Sequence, residues 1–152
     1  MKLAILSDTH GLLRPQVVEH LKTVDVILHG GDINRPSIVD ELRQYAPLYI
    51  VRGNNDKEWA SSLAHDLTVT LAGVTFFIVH NKKDVPADLS GVDVVVFGHS
   101  HKYLQEEYAG VLWLNPGSCG PRRFHQEITM MIAEITDEKI QVEKIVIPHE
   151  VQ

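Results

Sequence analysis

The stretch Leu3-Ala4-Ile5-Leu6-Ser7-Asp8-Thr9-His10 sets a short aliphatic run directly against a carboxylate and an imidazole. Four consecutive aliphatic residues suit a strand buried on both faces. The polar residues that follow then lie just beyond the strand's carboxyl end. The pattern recurs four times. Residues 24–28 lead through His29-Gly30-Gly31 to Asp32, and residues 48–51 lead through Arg52-Gly53 to Asn54-Asn55-Asp56. Residues 74–79 end at His80, and residues 92–97 pass Gly98 to present His99-Ser100-His101.

Helical patterns separate the early runs. Over residues 15–21, Val17, Val18 and Leu21 share a face and Pro15 suits a first helical turn. Residues 36–45 repeat this with Ile38, Val39, Leu42 and Tyr45 behind Pro36. A β-α-β-α-β start implies parallel strands joined by right-handed crossovers. Further on, Leu67, Val69 and Leu71 alternate before Ala72-Gly73, which predicts a hairpin into residues 74–79. Ala109-Gly110 predicts a similar turn before 111–114, and Asp137-Glu138 joins 130–135 to 140–147. The expected class is α/β: two mixed sheets packed together, helices outside, and one domain spanning 1–152.

The bulk composition narrows the function. A net charge of −6 without a Lys/Arg stripe argues against long nucleic acid as a partner. No apolar run is long enough to span a bilayer, and the first strand runs straight into Ser7-Asp8, leaving no room for a signal peptide. The chain therefore reads as cytoplasmic, with no membrane partner. Cys119 is the single cysteine, which excludes an internal disulfide framework and a thiolate metal cluster and suits a small buried filler.

In open α/β sheets, ligands bind beyond the carboxyl ends of the strands. Neighbouring strands lie about 4.8 Å apart, so Asp8, His10, Asp32, Asn54, His80, His99 and His101 can converge. The glycines before Asp32, Asn54 and His99 are expected to supply the sharp turns. Each residue has a plain alternative. Asp8 and Asn54 suit turns, Asp32 suits a helix cap before Pro36, and the histidines suit polar strand ends. Together the seven offer more donors than one transition metal needs. An oxygen and nitrogen set without thiolate suits Mn, Fe, Zn, Co or Ni at two adjacent positions. Two dications less two aspartates leave about +2, a good host for a phosphate oxygen. Water activated between two metals serves as the nucleophile, so no protein nucleophile is required.

With these residues in order, the sequence resembles the calcineurin-like metallophosphoesterase superfamily. The resemblance rests on Asp8-x-His10, Gly31-Asp32, Gly53-Asn54-Asn55-Asp56, His80 and Gly98-His99-Ser100-His101. Asn115-Pro116-Gly117-Ser118 with Pro121-Arg122 is similar to the short, single-domain YfcE-like phosphodiesterase branch. The resemblance implies a four-layer α/β/β/α sandwich. It implies that Asp8, His10 and His101 hold one metal, that Asn54, His80 and His99 hold a second, and that Asp32 bridges them. It further implies hydrolysis of a small phosphodiester by a hydroxide bridging two divalent ions, Mn²⁺ foremost. Phosphomonoesterase and oligonucleotide nuclease are the neighbouring activities. A retromer subunit with the same fold serves mainly as a protein-binding scaffold, so a binding module is the alternative of another class. A scaffold has no need of seven ordered donors, whose carboxylates repel when unpaired.

One position departs from the superfamily. Many members carry histidine after the ligand asparagine, where it helps protonate the leaving group, and here that residue is Asn55. An amide is no general acid near neutral pH, which favours diesters with acidic leaving groups. Asn55, Asp56 and Asp32 form the expected catalytic set. Asn55 binds a phosphate oxygen on this reading, and Asp56 either orients Asn55 or caps the next helix.

Among the other polar residues, His29 is placed to orient Asp32 from behind. Arg122, Arg123 and His125 follow the Pro-Gly-Ser loop and suit either phosphate or solvent, and Ser118 is open. His20, His65 and His149 read as solvated or packing residues, Trp59 and Trp113 as core or interface anchors. A homo-oligomer is compatible with the sequence.

Overall fold

The computed structural model describes residues 1–122 and 126–148, so Arg123, His125 and His149 lie outside the described residues. The chain opens as β1 (Lys2–Leu6), α1 (Pro15–Leu21), β2 (Val26–His29), α2 (Pro36–Arg43) and β3 (Leu48–Ile50). β1 pairs in parallel with β2, and β2 with β3, as the alternating elements require. The second helix stops at Arg43, short of the expected Tyr45. Pro47 disfavours helical backbone at the residue before it, and the Tyr45 N–H bonds back to the Leu42 carbonyl in a tightened final turn.

The rest follows as β4 (Asp66–Leu71), β5 (Val74–Val79), β6 (Val94–Val96), β7 (Leu104–Tyr108), β8 (Val111–Asn115), β9 (Ile128–Thr136) and β10 (Lys139–Ile147), with β6 parallel to both β5 and β8. All three expected hairpins form: β4–β5, β7–β8 and β9–β10. Their turns use left-handed backbone at Ala72-Gly73, Ala109-Gly110 and Asp137-Glu138. The strands make two five-stranded mixed sheets, ordered β10-β9-β1-β2-β3 and β4-β5-β6-β8-β7.

Period-two alternation decides the layers. Leu3, Ile5, Val26 and Leu28 meet Phe76, Ile78, Val94, Val96 and Leu114 in the core between the sheets. On the other face of the first sheet, Ala4, Leu6 and Ile27 pack against Val17 and Leu21 of α1 and Ile38, Val39 and Leu42 of α2. The free thiol of Cys119 is buried in this helix-side core, and burial pushes it up to about 12. The second sheet's outer face carries Phe77, Val79, Val95 and Phe97. Its cover is slighter: the 3-10 turn Lys82–Asp84 and the following loop, through Val85, Leu89 and Val92. Among the described residues no helix is long and apolar enough to cross a membrane.

Candidate metal centre

The carboxyl ends of β1, β2, β3, β5 and β6 converge. Asp8 and His10 follow β1, Asp32 follows β2, Asn54 follows β3, His80 follows β5, and His99 and His101 follow β6. The loops lock together through backbone. The Asp8 N–H donates to Gly31 C=O at 2.9 Å, His10 N–H to Asp32 C=O at 3.0 Å, and Gly98 N–H to His80 C=O at 2.9 Å.

The turns are made by the polar residues themselves. Asp8, His10, Asp32, His99 and His101 have φ of 56°, 46°, 59°, 74° and 62°. Each such residue stores on the order of 1–3 kcal/mol of strain, a cost that concentrates at functional sites. This corrects the expectation for the glycines. Gly31 is left-handed (φ 99°), but Gly53 and Gly98 are not. They are needed for close approach. A Cβ at Gly53 would overlap the Asp32 carboxylate, and one at Gly98 would overlap Ser7 Oγ and stand 2.6 Å from Asp8 Oδ2.

The donor atoms sort into two groups. In one, Asp8 Oδ1 lies 3.3 Å from His101 Nε2 and 3.7 Å from His10 Nε2, and the two imidazole nitrogens face each other at 3.3 Å. In the other, Asn54 Oδ1 lies 2.9 Å from His80 Nε2 and 3.2 Å from His99 Nδ1. Asp32 Oδ2 stands between them, 3.3 Å from His80 Nε2 and 3.8 Å from His10 Nε2. Asp8, His10 and His101, and separately Asp8, Asp32 and His80, bring their donors within 4.8 Å of one another.

The orientation of these atoms fits a cation. Asp8 is fully buried; its Oδ2 accepts from Ser7 Oγ at 2.7 Å and His99 N–H at 3.2 Å, while Oδ1 is buried with no acceptable hydrogen-bond partner. An orphaned buried carboxylate oxygen beside two imidazoles is costly unless a positive charge completes it. His80 bonds the Gly30 carbonyl through Nδ1 at 2.8 Å, which fixes the tautomer that leaves Nε2 free for a metal. Burial alone would raise the Asp8 carboxyl, but the facing His10 and His101 rings, His80 and Ser7 hold it well below the carboxylate range. Burial opposes the charged form of His80, and the Asp32 and Asp8 carboxylates outweigh it and raise that imidazole.

Around the donors, three residues have partners that the sequence reading did not name. Asn55 turns to Asp32, giving its backbone N–H to Oδ1 at 2.9 Å and its Nδ2 to Oδ2 at 3.1 Å. Asp56 neither orients Asn55 nor caps the next turn, which Lys57 precedes without a side-chain cap. Its carboxylate instead collects four backbone amides, Asp32 at 3.0 Å and Ile33, Asn34 and Gly53 at 2.8 Å, tying the Asp32 loop to the Asn54 loop. Both its oxygens are spent on backbone, so it positions other groups. His29 does not touch the Asp32 carboxylate. It accepts from Gly31 N–H at Nδ1 (2.9 Å), so Nε2 carries the proton and faces Thr9 Oγ1 at 3.1 Å.

Ser118 Oγ donates to Asp8 C=O at 2.9 Å, and Arg122 Nε donates to Gln126 C=O at 3.2 Å. The sequence reading missed Ser7, Asn34 and Asn115. Asn34 lies 3.2 Å from His10 Nδ1, and Asn115 Nδ2 supports the His99–His101 loop through Gly98 C=O and Ser100 Oγ, each at 3.2 Å. Only Asn115 carried a signal, as the head of the Asn-Pro-Gly-Ser segment.

The buried His29 gives a pH-dependent stability. Burial pushes its imidazole down to about 4, against the raising influence of nearby Asp8 and Asp56. The unfolded chain takes up the proton near 6.5 and the folded chain only near 4. The stability is therefore intact above pH 6.5 and is lost as pH falls toward 4, amounting to about 3 kcal/mol. Urea unfolding of metal-free protein between pH 7 and 4 is expected to show this loss, and His29→Asn to flatten it. Parallel slopes in both proteins would contradict it.

Residues 1–138 match the calcineurin-like phosphoesterase superfamily domain. The phosphodiesterase MJ0936 of Methanocaldococcus jannaschii is 30% identical over 141 residues, covering 78% of this chain and 84% of that one. The solved structure of an archaeal phosphodiesterase superposes with a TM-score of 0.78 at 30% identity, covering 97% of this chain and 100% of that one. Vps29 of Chaetomium thermophilum also reaches 0.78, at 21% identity over 96% of this chain and 97% of its own, a likeness of fold. Matched over nearly its whole length, the chain belongs to the calcineurin-like phosphoesterase superfamily.

Proposed function

We propose that the protein hydrolyses small phosphodiesters with two divalent metal ions. Asp8, His10 and His101 hold one ion, Asn54, His80 and His99 hold the other, and Asp32 is shared. The observation that carries this reading is Asp32 Oδ2, which stands within 4 Å of a nitrogen donor from each group. Mn²⁺ is the ion of choice for this oxygen and imidazole set, with Fe, Zn, Co and Ni as alternatives. Two such ions would supply Lewis acidity toward the phosphoryl oxygens and a hydroxide nucleophile at neutral pH. The chain's own part is orientation. Ser7 and His99 N–H turn Asp8 Oδ1 inward, the Gly30 carbonyl turns His80, and Asn55 holds Asp32 by two hydrogen bonds. We place the reaction in the cytoplasm. A protein-binding role like that of a scaffold is disfavoured by the orphaned Asp8 Oδ1, which binding a partner elsewhere would leave unpaired.

Asn55 sets the preference among esters. It offers no exchangeable acid, so an alkoxide leaving group goes unprotonated while an aryl oxide needs no help. With Mn²⁺ supplied, bis(p-nitrophenyl) phosphate is expected to exceed glycerol phosphate in kcat/KM by about 100-fold or more. Asn55→His should narrow that gap by raising monoester turnover. Equal efficiency on the two esters in the unaltered protein would show that alkoxide departure needs no acid at position 55 and would contradict the diester preference.

A further inference from the structure

A groove of about 560 Å³ opens beside His99, on the outer face of the second sheet. Its walls are Asn81, Lys82 and Lys83 on one side and residues between Phe97 and Leu104 on the other, so Gly98 and His99 belong both to the groove and to the metal centre. Phe97, Tyr103 and Leu104 make an apolar floor, and Lys82, Lys83 and Lys102 stand at the rim. Among the described residues no carboxylate lines it. In a chain of net charge −6 this is a local reversal of sign. The three rim lysines are exposed, and among the described residues the lysine–carboxylate pairs are Lys22–Glu19 and Lys144–Glu127, so none of the three is paired with a carboxylate there. Lys82 Nζ stands over the Phe97 ring of the groove floor, 5.7 Å from its centroid, and over the neighbouring Trp113 ring at 5.5 Å.

We infer that this groove receives the arm of the diester that remains on phosphorus, and that it selects an arm with a flat apolar ring bearing a second phosphate. The inference rests on the diesterase reading above. An apolar floor takes a base or aryl ring, and the volume lies within the range of small-molecule sites. Three rim ammoniums around one groove with no carboxylate among them favour a dianion over a neutral or cationic arm. The groove's continuity with His99 places that arm next to the reacting phosphorus, so its binding also orients the ester.

The test compares two thymidine 5′-(p-nitrophenyl phosphate) esters that differ only in a 3′-phosphate. Mn²⁺-loaded protein is expected to favour the 3′-phosphorylated ester by about tenfold or more in kcat/KM. In Lys82→Ala/Lys102→Ala that ratio should fall toward one, and in Lys82→Glu/Lys102→Glu below one. A second readout needs no turnover. Equilibrium dialysis of thymidine 3′,5′-bisphosphate against metal-free protein should show a Kd raised about tenfold by the same alanine pair. Hydrolysis of both esters with equal efficiency, or a Kd unmoved by the substitutions, overturns the role of the groove and leaves the diesterase reading standing. No hydrolysis of either ester overturns that reading, and the groove's role with it.

Discussion

Asp32→Asn is expected to lower diester kcat/KM by at least about 10³-fold, some 4 kcal/mol of transition-state stabilisation. The substitution keeps the shape of the side chain and can keep one oxygen toward the Asn55 N–H that Asp32 Oδ1 now accepts. What it removes is the charge between the two donor groups. Asp32 Oδ2 faces His80 Nε2 at 3.3 Å and His10 Nε2 at 3.8 Å, and an amide nitrogen there would confront the Asn55 Nδ2 that now donates to it. Both halves of the site weaken together. Removing an orienting partner one step out, such as Asn55→Ala, should cost only about 10–100-fold. Steady-state kinetics with metal content measured in parallel checks this. Activity within about tenfold of the unaltered protein would show that no cation depends on the shared carboxylate.

Gly98→Ala carries the largest expected loss of stability, about 3 kcal/mol, together with weakened metal binding. The new methyl would overlap Ser7 Oγ and stand 2.6 Å from Asp8 Oδ2, and both of those side chains are fully buried. The backbone cannot swing away. Gly98 N–H is bonded to His80 C=O at 2.9 Å and His99 N–H to Asp8 Oδ2 at 3.2 Å. Asp8 would have to move, and with it the oxygen aimed at the cation. Two comparisons separate overlap from backbone strain. Ser7→Ala in the same chain should restore part of the loss. Gly110→Ala, left-handed at φ 80° but facing open space, should cost only about 1 kcal/mol. Urea midpoints measure all three, and equal losses for Gly98→Ala and Gly110→Ala would contradict the steric account.

The strands and the early helices were legible because each apolar run is bounded by its own punctuation. Pro15 and Pro36 open the helices, and Ala72-Gly73, Ala109-Gly110 and Asp137-Glu138 close the hairpins. The convergence of the seven residues was legible for a related reason: each follows a strand end, and the topology brings those ends to one place. What surrounds them was harder to read. Asp56 looks the same in sequence whether it faces a substrate or gathers four backbone amides, because its partners lie 22–24 residues away around Asp32 as well as at Gly53. Ser7 and Asn34 gave no periodic signal, being single residues whose roles come from loop geometry. The glycines were marked correctly as special but for the wrong reason at Gly53 and Gly98. Sequence shows that a side chain is missing there, and only the packing shows which neighbour fills the space. The slight cover on the second sheet was likewise invisible, since residues 82–92 lack a helical period and still supply Val85, Leu89 and Val92 as packing.

The measurement that bears most directly on the central claim is a titration of chelator-stripped protein with Mn²⁺. It follows bound metal and bis(p-nitrophenyl) phosphate hydrolysis in the same samples, with His101→Ala alongside. The expected result is no turnover without metal, activity that rises and levels off at two ions bound per chain, and in His101→Ala loss of the activity together with the ion held by Asp8 and His10. Turnover that persists in the stripped protein, or that saturates at a single ion and survives in His101→Ala, would contradict it.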